Sequence, residues 1–305
     1  MRFNPRARLT TRRIGDAGRG VARGGGGGLP VPGRLLGGGL GGLVVLGLVL
    51  LLSLWLGGGS SGAGYDTSRM SETGRYDNCK TGEDANNDPD CARVAVENSL
   101  TDYWSDTLPA QSRTSFSPEK KVETFTGGID TGCGGATADV GPFYCPTDRT
   151  IYLDTTFFTD VLQKQLNGPS GAFVEPYVIA HEYGHHIQNL LGTMGRVKTQ
   201  QGPHSDSVKL ELQADCYAGM WAHSATTTQD ADGNVLITDL SQQDIQEAID
   251  AATAVGDDRI QQESGGQVDP DSWTHGSSAE RVQWFMTGYR NGSLDDCDTF
   301  APGAV

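Results

Sequence analysis

Residues 174–192, VEPYVIAHEYGHHIQNLLG, place two histidines four residues apart with a glutamate directly after the first. Tyr177, Ala180, Gly184, Ile187 and Leu191 recur every three or four positions, and Pro176 suits a first helical turn, so the segment predicts an amphipathic helix. His181 and His185 then lie one turn apart on one face. Two imidazoles at that spacing can take neighbouring corners of a tetrahedral zinc site, and Glu182 beside the first can reach a water at the metal as a catalytic base.

A catalytic zinc requires a third protein ligand and an open position. A third histidine six residues after His185 is ruled out, because positions 188 and 191 hold Gln188 and Leu191. The next helical segment, VKLELQADCYAGMWA, carries Glu211 and Asp215 four residues apart on one face, in apolar surroundings where an acid needs a partner. Glu211 is the expected third ligand, and Asp215 is expected to accept a hydrogen bond from the outer nitrogen of a ligating histidine. His204, in the loop QGPHSD, is the rival ligand. His186 lies about 100° around the helix from His185, which points to packing rather than ligation.

HEYGHHIQ followed by ELQAD resembles the gluzincin pattern of HExxH plus ExxxD. With the MRF start, the GGGGGLP tract, the Gly-rich apolar run, GPFYCPTDRTIYLD and HGSSAERVQWF, nearly the whole chain resembles the bacterial putative neutral zinc metallopeptidase family. The resemblance implies a membrane-associated peptidase that hydrolyses peptide bonds with one zinc ion per chain. By likeness to membrane-linked gluzincins, His275 in THGSSAERVQWF is expected to stabilise the oxyanion or orient a ligand. Arg281 is expected to pair with an acid near the site. Two other functions stay open: an inactive zinc-stabilised scaffold binding cell-envelope partners, and a zinc amidase acting on cell-wall peptides.

The formal net charge of -15 hides two opposite parts. Residues 1–34 carry eight Arg and one acid, Asp16, and the remainder holds 15 Lys+Arg against 37 Asp+Glu. No nucleic-acid partner is expected of so acidic a body. The Arg/Gly-rich start reads as a disordered cytoplasmic tail. Residues 35–56 contain no charge and, at roughly 20 residues, are long enough to span a bilayer. The positive-inside tendency then puts the N-terminus in the cytoplasm and the acidic body outside it, anchored to the cell membrane by a single span. A cleaved signal peptide is the alternative. Residues 57–75 read as a Gly/Ser stalk, and 76–305 as the zinc metallopeptidase domain.

All six cysteines follow the apolar run. Proximity pairs Cys79 with Cys91 and Cys133 with Cys145, leaving Cys216 with Cys297. Short β-prone segments at 122–126 and 150–154 precede helical patterns near 174–191, 207–223, 242–255 and 278–290, and another helix is expected to end before Pro109. Strands early and helices late predict an α+β, zincin-like domain with a small sheet and an active-site helix, preceded by one transmembrane helix. TIYLD at 150–154 is a candidate exposed edge strand for an extended peptide, or otherwise a core strand. The acids at 84–90 and in DADGN at 230–234 complete no calcium loop and read as solvated turns.

Overall fold

The computed structural model describes residues 1–22, 65–66, 72–137 and 140–305. In chain order the strands and helices are β1 (Arg2–Phe3), β2 (Ile14–Arg19), β3 (Val21–Ala22), β4 (Tyr65–Asp66), α1 (Gly82–Asn87), α2 (Pro89–Gln111), β5 (Lys121–Thr126), β6 (Gly128–Thr131), β7 (Gly134–Thr137), β8 (Phe143–Cys145) and β9 (Thr150–Asp154). A π-helix (Phe157–Gln163) leads to α3 (Val174–Leu191), α4 (Asp206–Ser224), β10 (Ile237–Asp239), α5 (Gln242–Ala254), α6 (Asp257–Glu263) and α7 (Ser278–Asn291). The fold is α+β, with strands gathered early and helices late.

The main sheet has the order β2-β5-β9-β8. β2 and β9 both run parallel to β5, and β8 returns antiparallel to β9. The TIYLD strand β9 is therefore paired on both sides and buried along its whole length. It is a core strand, and the edge falls to β8. Helix α2 runs two residues beyond Pro109 rather than stopping before it. This is feasible because a proline near the last turn removes a single helical hydrogen bond.

The helices carry their own end signals. Ser241 and Asp244 form a capping box on α5, Ser277 and Glu280 form one on α7, and Gly192 and Gly292 close α3 and α7 in the left-handed region. The acids at 84–90 lie in helices or at their ends rather than in a solvated turn, with Asp84 and Asp88 capping α1 and α2, whereas 230–234 is a turn in which Asp230 accepts the backbone N–H of Asp232 and Asn234. Three disulfides join Cys79–Cys91, Cys133–Cys145 and Cys216–Cys297.

The N-terminal expectation is corrected. Residues 1–22 are not a separate tail but part of the folded body. β1 pairs with β10, β2 extends the main sheet, the Met1 amine meets Asp244 Oδ1 at 2.5 Å, and Arg13 Nε donates to buried Glu97 at 2.8 Å. β3 pairs with β4, bringing together the two ends of the stretch from 23 to 64. A body that includes both 1–22 and 72–305 cannot sit on opposite sides of a single span, so the single-pass placement with a cytoplasmic N-terminus and an extracytoplasmic domain is overturned. No helix among the described residues is long and apolar enough to cross a membrane. The expected span at 35–56 and most of the expected stalk lie outside the described residues.

Candidate metal centre

Helices α3 and α4 cross where Gly184 faces Ala214. A Cβ at Gly184 would stand 3.0 Å from Ala214 O and 3.1 Å from its Cα, so the missing side chain permits the close approach. The crossing brings His181 and His185 of α3 against Glu211 of α4. One ligand atom from each lies within 4.8 Å of the others, and all three residues are buried. His181 Nε2 is 3.2 Å from one Glu211 oxygen and His185 Nε2 is 3.5 Å from the other.

Each ring is held by its outer nitrogen. His181 Nδ1 donates to Asp215 Oδ1 at 2.8 Å, and His185 Nδ1 donates to Gln188 Oε1 at 2.8 Å. Gln188 is itself fixed, because its amide donates to Leu210 O at 2.7 Å. Asp215 also accepts from Tyr177 Oη at 2.6 Å and from Arg281 through Nε at 2.8 Å and Nη2 at 3.0 Å. With both Nδ1 atoms committed, both Nε2 atoms face the Glu211 carboxylate, and this two-imidazole, one-carboxylate set fits a zinc ion.

Electrostatics follow the same geometry. Burial disfavours charge on His181, but the Asp215 carboxylate outweighs it and lifts the imidazole to about 10. Burial likewise opposes charge on Asp215, yet Arg281 and His181 hold its carboxyl down to about 2. Glu211 lies well below its usual range, because His185 and the His181 hydrogen bond overcome its burial. Glu182 moves the other way. Burial pushes its carboxyl up, partly offset by the two histidines and by a hydrogen bond from the Tyr144 backbone N–H on β8.

A cavity of about 130 Å³ opens on this cluster. Its wall is mostly apolar, with Val140, Phe143, Phe157, Val178, Met194 and Leu210 around Glu182, His275 and Arg281. His275 is buried, and Asp257 braces it: Oδ1 lies 3.2 Å from the ring Nδ1, and Oδ2 accepts the backbone N–H of Thr274, His275 and Gly276 at 2.7, 2.6 and 3.0 Å. The Asp257 charge outweighs burial and raises the His275 imidazole.

The chain from residue 4 to residue 300 matches the model of a family described as putative neutral zinc metallopeptidase. The chain belongs to that family. Uncharacterized protein Rv2575 of Mycobacterium tuberculosis is 50% identical to it over 225 residues, covering 73% of this chain and 74% of that protein. Uncharacterized protein YpfJ of Escherichia coli K12 is 43% identical over 205 residues, covering 65% and 67%. No solved structure matches.

Within this zinc metallopeptidase family member, three other histidines fall outside the cluster, and one of them, His223, is exposed with Nδ1 2.7 Å from Tyr289 O. His204 is exposed in its loop. His186 is fully buried: Nε2 donates to Ser117 O at 2.8 Å and Nδ1 faces Tyr144 Oη at 3.0 Å, with burial pushing its pKa down to about 4. Sequence reasoning missed Gln188, Tyr177 and Asp257 as supports. Gln188 was within reach, lying one turn from His185 on its own helix. Asp257 was not, since helix α6 and the loop after it separate it from His275 by 18 residues.

Proposed function

We propose that this chain is a zinc-dependent peptidase in which Glu182 acts as the proton shuttle for attack of water on a peptide carbonyl. The observation that carries this reading is a buried His181–His185–Glu211 donor set with the Glu182 carboxylate beside it, facing one apolar cleft. His181, His185 and Glu211 would hold one zinc ion per chain. When bound, zinc supplies Lewis acidity that brings the pKa of water near neutrality and polarises a carbonyl.

The chain's own groups do the rest. Asp215 and Gln188 hold the two imidazoles in the tautomer that leaves Nε2 free. Glu182, steadied by the Tyr144 N–H, accepts a proton from the attacking water as its oxygen bonds to the carbonyl carbon. It then delivers that proton to the leaving nitrogen as the C–N bond breaks. Its upward-shifted carboxyl suits both halves of the exchange. His275, held through Nδ1 by Asp257, keeps its other ring nitrogen for the carbonyl oxygen that gains charge. The apolar wall favours a substrate with an apolar side chain beside the scissile bond, because an unpaired charge buried there is costly.

Glu182→Gln keeps nearly the same shape but cannot take up a proton. It is expected to retain zinc and thermal stability while peptide cleavage falls at least about a hundredfold. His185→Ala is expected to lose zinc and activity together. Glu182→Gln cleaving a peptide library as fast as the parent would remove the assigned base. If both parent and Glu182→Gln held zinc and neither cleaved anything, a zinc-stabilised scaffold would replace the peptidase. Cleavage of cell-wall peptides with casein left intact would favour an amidase.

A further inference from the structure

The three disulfides differ in their surroundings. Cys79, Cys91, Cys145, Cys216 and Cys297 are all 3% exposed or less. Cys133 is only partly buried, and it also borders the cleft that holds Glu182. Its partner, Cys145, ends β8, the edge strand whose Phe143 and Tyr144 line the same cleft as Glu182. Cys145 sits in a small apolar cluster with Phe125, Ile129, Ala136, Phe143 and Tyr152, separate from the main core. Beside the disulfide, Gly132 N–H to Asp148 at 2.8 Å ties the turn of the β6–β7 hairpin to the turn after β8. The bond open to solvent is therefore the one that staples the cleft wall.

We propose that Cys133 Sγ is a site of thiol–disulfide exchange with a dithiol, and that opening the Cys133–Cys145 bond loosens β8 and with it the substrate wall. A thiolate of the dithiol bonds to Cys133 Sγ as the S–S bond breaks, and Cys145 leaves as a thiolate that takes up a proton. The second thiol then attacks the mixed disulfide and releases Cys133 as a thiol. Two electrons pass to the protein pair, and the reagent departs as its own disulfide. Attack falls on Cys133 because Cys145 is 0% exposed and offers no path to a thiolate. The effect on peptide cleavage rests on the peptidase reading; the exchange and the loosening do not.

The full chain is treated with reduced thioredoxin, a protein dithiol, quenched with iodoacetamide and mapped by mass spectrometry. Cys133 and Cys145 are expected to be alkylated at least about tenfold faster than the other four cysteines. Opening of Cys79–Cys91 or Cys216–Cys297 at the same rate overturns the assignment. In the Cys133→Ser/Cys145→Ser double variant, amide hydrogen exchange at Phe143 and Tyr144 is expected to quicken at least about tenfold with zinc content unchanged. Unaltered exchange there overturns the loosening. The variant's kcat/KM on peptides should fall by about tenfold. A parent that cleaves no peptide defeats the peptidase reading, while alkylation and amide exchange still decide this one. The alkylation arm uses the native chain, so it stands even if the double variant fails to fold.

Discussion

Asp102 shows how one residue's surroundings set the pH dependence of the whole chain. Partial burial, with the nearby charges of Asp230 and Glu97, raises its carboxyl to about 7. A carboxyl whose folded pKa lies above its unfolded value stabilises the fold fully below the unfolded pKa, near 3.8, and that contribution is lost as pH rises through about 7. Asp102→Asn is therefore expected to flatten this part of the stability profile. At pH 8 the variant should be more stable than the parent by about 1 kcal/mol, allowing for solvent screening at a partly exposed site. Urea unfolding at pH 4.5 and pH 8 checks it, and an equal difference at the two pH values would rule out titration of Asp102 as the cause. Asp215 is the opposite case, a buried acid with donors on every side. Its environment was readable from the apolar residues around it, whereas around Asp102 only Glu97 and Asp106 lie on the same helix, and Asp230 comes from a distant part of the chain.

Helices α4 and α7 pack backbone to backbone. A Cβ on Gly219 would lie 2.0 Å from Phe285 O, and one on Gly288 would lie 1.9 Å from Cys216 O. Since backbone cannot swing aside as a side chain can, Gly219→Ala forces the helices apart and is expected to cost about 2–3 kcal/mol, or roughly 4–12 °C in Tm. Gly195→Ala, with nothing within 4 Å of the added carbon, is the control and should leave Tm nearly unchanged. Glu211 and Asp215 ride on α4 and Arg281 on α7, so the Gly219 variant should also bind zinc more weakly in a chelator competition. The sequence displayed these helices through their periodicity and caps. It did not display their contact, because a glycine inside a helical pattern carries no mark of what it faces.

At the scale of the whole molecule, the N-terminal segment completes the body. Arg13 from that segment lies 2.8 Å from Glu97 and 3.5 Å from Glu119, two glutamates with fully buried side chains. Removing one partner from such a cluster leaves charge stranded away from water. Arg13→Ala is accordingly expected to destabilise the fold by at least about 2 kcal/mol in urea unfolding. Glu119 is raised by burial and by the charge of Glu97, so Glu119→Gln in the Arg13→Ala background should recover part of the loss. A double variant no more stable than Arg13→Ala would mean that the loss comes from packing rather than charge.

The sequence by itself determined that His181, Glu182 and His185 share one helix and that Glu211 and Asp215 share the next. Both follow from side-chain spacing within a single turn, which a short window of residues contains. Cysteine proximity was likewise enough to pair Cys79 with Cys91 and Cys133 with Cys145. Only the tertiary structure decided that β8 rather than β9 is the sheet edge, that Asp257 braces His275, and that residues 1–22 belong to the folded body. These depend on contacts between residues far apart in the chain. β2 is a short strand, IGDAGR, whose stability comes from parallel pairing with β5 more than a hundred residues later, and no local pattern in β2 encodes that partner.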